Sequence, residues 1–337
     1  MALPNSGALS LNQIHVEAGG SSGSTASIND SDIRDLIGKS SGAQMSFNEW
    51  YGASSVTNIS QTISSSTNNY NIASSRPGTY SAGNTQFTLT VNPGVTIGTN
   101  STSGTSLTMG SPWSSGDTVT INNYGSIKGG GGNGGTGASS GFQGSNASSA
   151  GATVNGAALT LTYPVTIGNY GSIYGGGGGG GGGGTRTLGS QFGKLGSSFM
   201  ISGGGGGGGA GVNAGSGGAR GPTAGTNMGN LAGGQGDPGA AGSANAGGAG
   251  GIARGQMLFS TQNLPVNGGA GGGLGQNGSA GNMTPFPGPS TMPFGAVTNF
   301  NSFNPSPASS GGTRGYYISG NPYATWSPQG TVGGRSA

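Results

Sequence analysis

The chain has no cysteine and a single histidine, His15, among its 337 residues. Disulfides and thiolate metal centres are thereby excluded, and most His-based catalysis and metal binding go with them. Charge is almost as scarce, with Asp, Glu, Lys and Arg together making up 5%. Apolar residues reach only 30%, too few for a large aliphatic core. No apolar run approaches membrane-spanning length, so no membrane insertion is expected. The opening "MALPNSGALS" lacks the basic and apolar regions of a signal peptide, and the expectation is a product made in a cytoplasm.

What fills the space is glycine, 82 residues of it. Ten stand in a row in "YGGGGGGGGGGT" (174–185), and a second run follows in "ISGGGGGGGAG" (201–211). One such run alone is a flexible linker. Several held side by side are a different object. A polyproline II backbone has three residues per turn and no internal hydrogen bonds. Without Cβ atoms, neighbouring strands of this kind can approach and pair their N–H and C=O groups laterally. The runs therefore predict a polyglycine II bundle with a core of peptide backbone, about 31 Å long for a ten-residue strand. Collagen is excluded, because the phase of three at Gly233, Gly236, Gly239 and Gly242 breaks at Asn245.

Three regimes divide the chain into 1–53, 54–126 and 127–337. The first has helix grammar. "LSLNQIHVEAGG" offers Ser10 or Asn12 as a cap, apolar Leu11, Ile14 and Val16 and a glycine stop, and Ser31 or Asp32 can cap a second segment whose apolar face is Ile33, Leu36 and Ile37, ending at Gly38. Phe47, Trp50 and Tyr51 close this module. It carries five acids and two bases (net −3), whereas the remainder carries two acids and eight bases (net +6), a thin field favouring an anionic surface. Residues 54–126 alternate with period two in Thr, Ser, Val and Ile, which predicts short strands with one buried face and a β-rich neck. Beyond 127, glycine runs alternate with segments bearing aromatics, Met and Pro.

A repeat spans the last two regimes. "VTINNYGSIKGGGG" (119–132) recurs as "VTIGNYGSIYGGGG" (165–178) and, in degenerate form, as "ATWSPQGTVGG" (324–334), with Trp326 in the place of Ile121 and Ile167. The shared pattern is a strand, a turn and a second short strand, and such units stack on one another. Tyr124 and Tyr170 fall within the repeat and read as structural. The expected fold is mainly β with a small helical N-terminal module, a β-rich neck and a polyglycine II bundle with displayed loops.

No catalytic constellation is visible. Asp117 and Asp237 are far apart in sequence, glycan cleavage needs a carboxylate pair, and the "GGGGNGG" type of run lacks the Lys-Ser/Thr of a phosphate loop. No enzyme activity, cofactor or metal is expected. Arginines are too few for RGG-type RNA binding, so no nucleic-acid partner is expected either. The informative places are the non-glycine intervals. Residues 185–202 carry Phe192, Lys194, Phe199 and Met200. Residues 252–267 carry Arg254, Met257 and Phe259. Residues 282–307 carry Met283, Phe286, Met292, Phe294, Phe300 and Phe303. Loops on a rigid scaffold are where recognition resides, and aromatics with Met supply contact area. The alternative is that these side chains cover the bundle or bury between subunits.

The opening "ALPNSGALSLNQI" with "ASINDSDIRDLIGKSSGAQMSFNEWYG", the strand-rich "DTVTINNYGSIKGGGGNGG" and the closing "RGYYISGNPYATWSPQGTVGG" resemble tail-fibre proteins of tailed bacteriophages. The glycine-rich region is similar to the distal adhesins of T-even-type phages, which have no counterpart of the N-terminal module. The resemblance implies a virion protein of the phage tail. Residues 1–53 would dock to a tail or baseplate protein, with Leu11, Ile14, Ile33, Leu36, Phe47 and Trp50 as the attachment candidates. The tip would bind a host-surface glycan or outer-membrane protein. A structural fibre or decoration protein without receptor binding is the second reading. Fibres often trimerise, but a glycine bundle can also form within one chain, so homotrimer and monomer both stay open.

Overall fold

The computed structural model describes residues 2–139, 148–190, 198–221, 235–257, 260–263, 266–282, 300–302 and 306–337. Its organising element is a three-sided stack of parallel strands, wound five times. The first rung is Thr57–Ile63, Thr67–Asn68 and Tyr70–Asn71; the second is Thr85–Val91, Thr96–Gly98 and Leu107–Thr108. The third is Thr118–Asn123, Ser126–Lys128 and Ala157–Thr160, and the fourth is Val165–Asn169, Ser172–Tyr174 and Tyr316–Ser319. Ala324–Trp326, Thr331–Gly333 and Arg335–Ser336 close the fifth. The first, second and third strands of successive rungs form three separate five-stranded sheets, which are the three faces of the solenoid.

The sequence repeat is the register of this stack. Ile121 lies beside Ile167, and Ile167 beside Trp326. On the second face Ile127, Ile173 and Val332 stand in line, as do Leu107, Leu159 and Ile318 on the third. Alternate residues point inward, so Thr85–Val91 buries Phe87, Leu89 and Val91 while Gln86, Thr88 and Thr90 face outward. Fully burying each such aliphatic contributes roughly 1.5–3 kcal/mol. Inside one corner, Asn123 donates from Nδ2 to Asn169 Oδ1 at 2.8 Å, and Asn169 Nδ2 donates to the Gln329 carbonyl at 2.7 Å, so two buried amides are satisfied by the next rung.

The carboxylate of Asp117 ties the turns below the third rung together. It accepts from Tyr80 Oη at 2.6 Å and from the backbone N–H of Ser114 (2.8 Å), Gly83 (2.9 Å) and Thr85 (3.2 Å). Burial pushes its pKa up, but the Tyr80 hydroxyl and the Ser114, Thr85 and Gly83 amides outweigh this and hold it below the ordinary carboxylate value. A depressed folded-state pKa stabilises fully above the unfolded value, near pH 4, and that contribution fades as pH falls through the lower folded value. Asp117→Asn is therefore expected to cost about 2 kcal/mol at pH 7. It should also flatten the acid limb of a stability–pH profile below pH ~4. An unchanged acid limb would contradict the assignment.

The glycine-rich chain does not follow the solenoid; it is inserted in it. Residues 129–156 leave and return between the second and third faces of rung three, and residues 175–315 do so in rung four. The division at 126/127 consequently runs through one β-structure. Composition changes along the chain at that point, but strands from both sides of it share the same sheets.

Ten segments of these insertions lie side by side: 129–138, 148–156, 175–185, 202–211, 212–221, 236–243, 247–252, 266–272, 276–282 and 306–315. Their bonding repeats every third residue. Gly177, Gly180 and Gly183 donate to Ala210, Gly207 and Gly204; Gly178 and Gly181 donate to Gln276 and Ser279; Gly179 and Gly182 donate to Ala152 and Ser149. The carbonyls of this run accept from three further segments, 132–138, 269–272 and 309–312. The second run behaves alike. It donates to 132–138, 237–243 and 266–272, and it accepts from 177–183, 215–221 and 248–251. Each long glycine run thus has six neighbours, and the only side chain on the paired stretch 203–210 is the buried methyl of Ala210, at the end nearest turn 211–214. In peripheral segments one side faces water. Gly215, Gly218 and Gly221 are buried while Ser216 and Ala219 are exposed, as are Asn133 and Thr136.

The N-terminal module comprises helices Leu11–Glu17 and Ser31–Asp35 and a 3-10 turn Phe47–Trp50. Ser10 and Gln13 form a reciprocal cap on the first. Leu3, Ile14, Ile33 and Trp50 make its core, and the Trp50 indole donates to the Ile33 carbonyl at 3.0 Å.

Candidate functional site

The insertions have two distinct ends. Turns 211–214, 243–247 and 273–276 sit against the solenoid: Asn213 Nδ2 donates to the Asn100 carbonyl at 2.9 Å, Lys128 Nζ donates to Asn245 Oδ1 at 2.9 Å, and a Cβ on Gly275 would lie 2.6 Å from the Gly333 carbonyl carbon of rung five. At the opposite end the chain leaves the bundle after residues 138, 185, 221, 252 and 282 and re-enters it at 148, 202, 236, 266 and 306. The aromatic and basic intervals singled out in the sequence are three of these five excursions. All twelve candidate receptor-binding residues belong to them.

Of the twelve, Phe192, Lys194, Phe259, Phe286, Met292, Phe294 and Phe303 lie outside the described residues. The other five are placed by backbone pairing. Arg186–Ser190 pairs antiparallel with Ser198–Ile201 on one edge and with Phe300–Ser302 on the other. Leu188 stands opposite Phe199 and Ser302, and Ser190 opposite Phe300. Phe199 and Phe300 therefore belong to one face of this small sheet, and Met200, opposite Thr187, to the other. Ala253–Met257 lies between Gln235–Gly236 and Ser260–Asn263, with Arg254 opposite Gln235 and Asn263, and Met257 opposite Ser260.

The two excursions that sequence reasoning passed over are 139–147 and 222–235. Both carry glycines of their own, two in 139–147 and four in 222–235, so composition does not set them off from the bundle segments as it does the other three.

The attachment candidates divide differently. Ile14, Ile33 and Trp50 are fully buried and hold the module's own core, which corrects their assignment as contact residues. Apolar helical spacing marks what packs inward, and here it packs on the module itself. Leu11 and Leu36 are half-buried against that core, and Phe47 is 39% exposed. Val16, at 44%, is a further outward apolar residue of this module.

A solenoid that carries a bundle of glycine-rich strands, all of whose excursions open at one end, is a stage for presenting segments to a partner. Residues 58–337 match the family model of the phage tail fibre adhesin Gp38. The chain belongs to this family of tail-fibre adhesins, which act in host attachment from the virion tail. The matched span begins within the first solenoid strand, so the N-terminal module lies outside it. No curated protein and no solved structure matches the chain.

Proposed function

We propose that the glycine-rich body is a polyglycine II bundle whose far end binds a host-surface glycan or outer-membrane protein. Residues 1–53 would dock the chain to a tail or baseplate protein. The carrying observation is that every candidate contact residue falls in a segment entering and leaving the same end of the bundle. A hydrogen-bond period of three with six neighbours per central strand supports polyglycine II, whose helix has three residues per turn. Both central runs find all six neighbours within one chain, which favours a tip that needs no second copy. The activity is binding without a reaction. Asp117, one of two carboxylates outside the N-terminal module, is spent on four structural donors.

The test is adsorption of virions in which residues 283–299 are replaced by a short Gly-Ser bridge. This span avoids Phe300–Ser302, which pairs in the small sheet, and 306–315, which belongs to the bundle. Adsorption is expected to fall at least tenfold with assembly intact. Normal adsorption would favour a structural fibre without receptor binding.

A further inference from the structure

The first face of the solenoid bears a pattern on its outward side that neither the core nor the glycine body uses. Ser60, Thr88, Thr120, Thr166 and Thr325 stand beside one another in register across all five rungs. Two residues further along, Thr62, Thr90, Asn122 and Gly168 form a second column, and two residues back Asn58, Gln86 and Thr118 form a third. Apart from Gly168, which is buried and has no side chain, these residues are exposed or half-exposed, and none is charged. Threonine suits any strand, so the columns alone would signify little.

The corner beside them adds a second observation. Tyr124 and Tyr170 stack with ring centroids 4.8 Å apart and planes within 9°. Yet they remain 45% and 56% exposed. A Cβ on Gly168 would lie 2.9 Å from Tyr170 Cε2 and 3.0 Å from Asn122 Oδ1, so the Tyr170 ring leans over the second column, on the outer surface itself. The same corner position holds Asn92 in the rung before and Gln329 in the rung after. The result is a flat, rigid strip of hydroxyls and amides, bordered by two aromatic rings and spanning on the order of 19 Å over four rung spacings. It offers no cation for a uronic acid or phosphate.

We propose that this strip is a second binding site, for an uncharged glycan chain laid across the rungs. Sugar C–H groups would meet the Tyr124 and Tyr170 rings, and sugar hydroxyls would meet the Thr column with Asn92, Asn122 and Gln329. The site is independent of the far-end segments.

The experiment is affinity electrophoresis of the full chain through gels containing dextran, mannan or galactan, with hyaluronate as the charged control. At least one neutral polymer should retard the protein. Tyr124→Ala with Tyr170→Ala should weaken that affinity about tenfold or more. The triple variant Thr88→Val/Thr120→Val/Thr166→Val keeps the β-branched shape and should also weaken it. The Tyr124→Phe/Tyr170→Phe pair keeps the stack and serves if the alanine pair fails to fold; it should retain retardation. Replacement of 283–299 should leave retardation unchanged, which separates this site from the receptor end. Three results would each overturn the proposal: no retardation by any neutral polymer, retardation untouched by the threonine triple and the alanine pair, or retardation by hyaluronate alone.

Discussion

Gly180→Ala is expected to destabilise the glycine body by about 3 kcal/mol or more, well beyond the usual effect of adding one methyl. The reason is geometric. The new Cβ would sit 2.0 Å from the Gly269 carbonyl oxygen, and that oxygen belongs to the backbone of a neighbouring strand which cannot swing aside. Gly207→Ala meets the Gly248 carbonyl at the same 2.0 Å. The double variant should lose the bundle's cooperative melt altogether. Ser216→Ala, on the water-facing side of a peripheral segment, should stay within about 0.5 kcal/mol of the parent. Calorimetry of these four variants beside the parent decides the matter. An alanine at 180 that melts like the parent would mean that the strands do not pack as closely as their hydrogen bonds imply.

Removing residues 316–337 should be the most damaging truncation. It takes the third strand of rung four and the whole of rung five. Leu159, Ile167 and Ile173, now buried, would lose the layer above them. At roughly 1.5–3 kcal/mol for each side chain uncovered, the loss approaches the 5–15 kcal/mol that stabilises a typical domain. The bundle should fail with it, because the return strand 306–315 would have no sheet to re-enter. Deleting 1–53 should leave the main melt in place, since that module has its own core. Circular dichroism melts and limited proteolysis of the two truncations compare them directly. A C-terminal truncation that still melts at the parent temperature would contradict this account.

Part of this architecture was legible from residue order. The pairing of Ile121 with Ile167 and Trp326 is the sequence repeat itself, because a repeat that stacks must align its own letters. The glycine runs announced a backbone core for a similar reason: only a strand surrounded on every side excludes all side chains. The period-three glycines Gly236, Gly239 and Gly242 do not continue as collagen. They are a peripheral segment, with one residue in three turned toward the 203–209 run, and Asn245 falls in the turn that ends it.

Other features were hidden for physical reasons. The second rung lacks the repeat's letters, since Leu89 and Ile97 satisfy the same buried positions in a different frame of Asn, Pro and Gly, and the first rung has Gln61 and Thr67 there instead. Nothing local reveals that Tyr174 and Tyr316, far apart in the chain, flank one rung. That closure is a matter of sheet pairing across the inserted bundle. Helical apolar spacing likewise marked Ile14, Ile33 and Trp50 without saying whether they face a partner or one another. At the far end, composition marked three of the five excursions, and missed 139–147 and 222–235, whose own glycines blend with the bundle segments.

The lateral bonding of the glycine body bears on how the adhesin carries load. With the far-end binding proposed above, a tethered phage would be pulled along the strand axes, while the hydrogen bonds run across them. Tension in that direction shears many short bonds at once and cannot open them one after another like a zipper. Because the chain doubles back at every turn, no strand can slide without dragging the segments on either side of it. The same backbone lattice that leaves no room for side chains would thus make the tip mechanically stiff along the one axis on which a moving cell pulls.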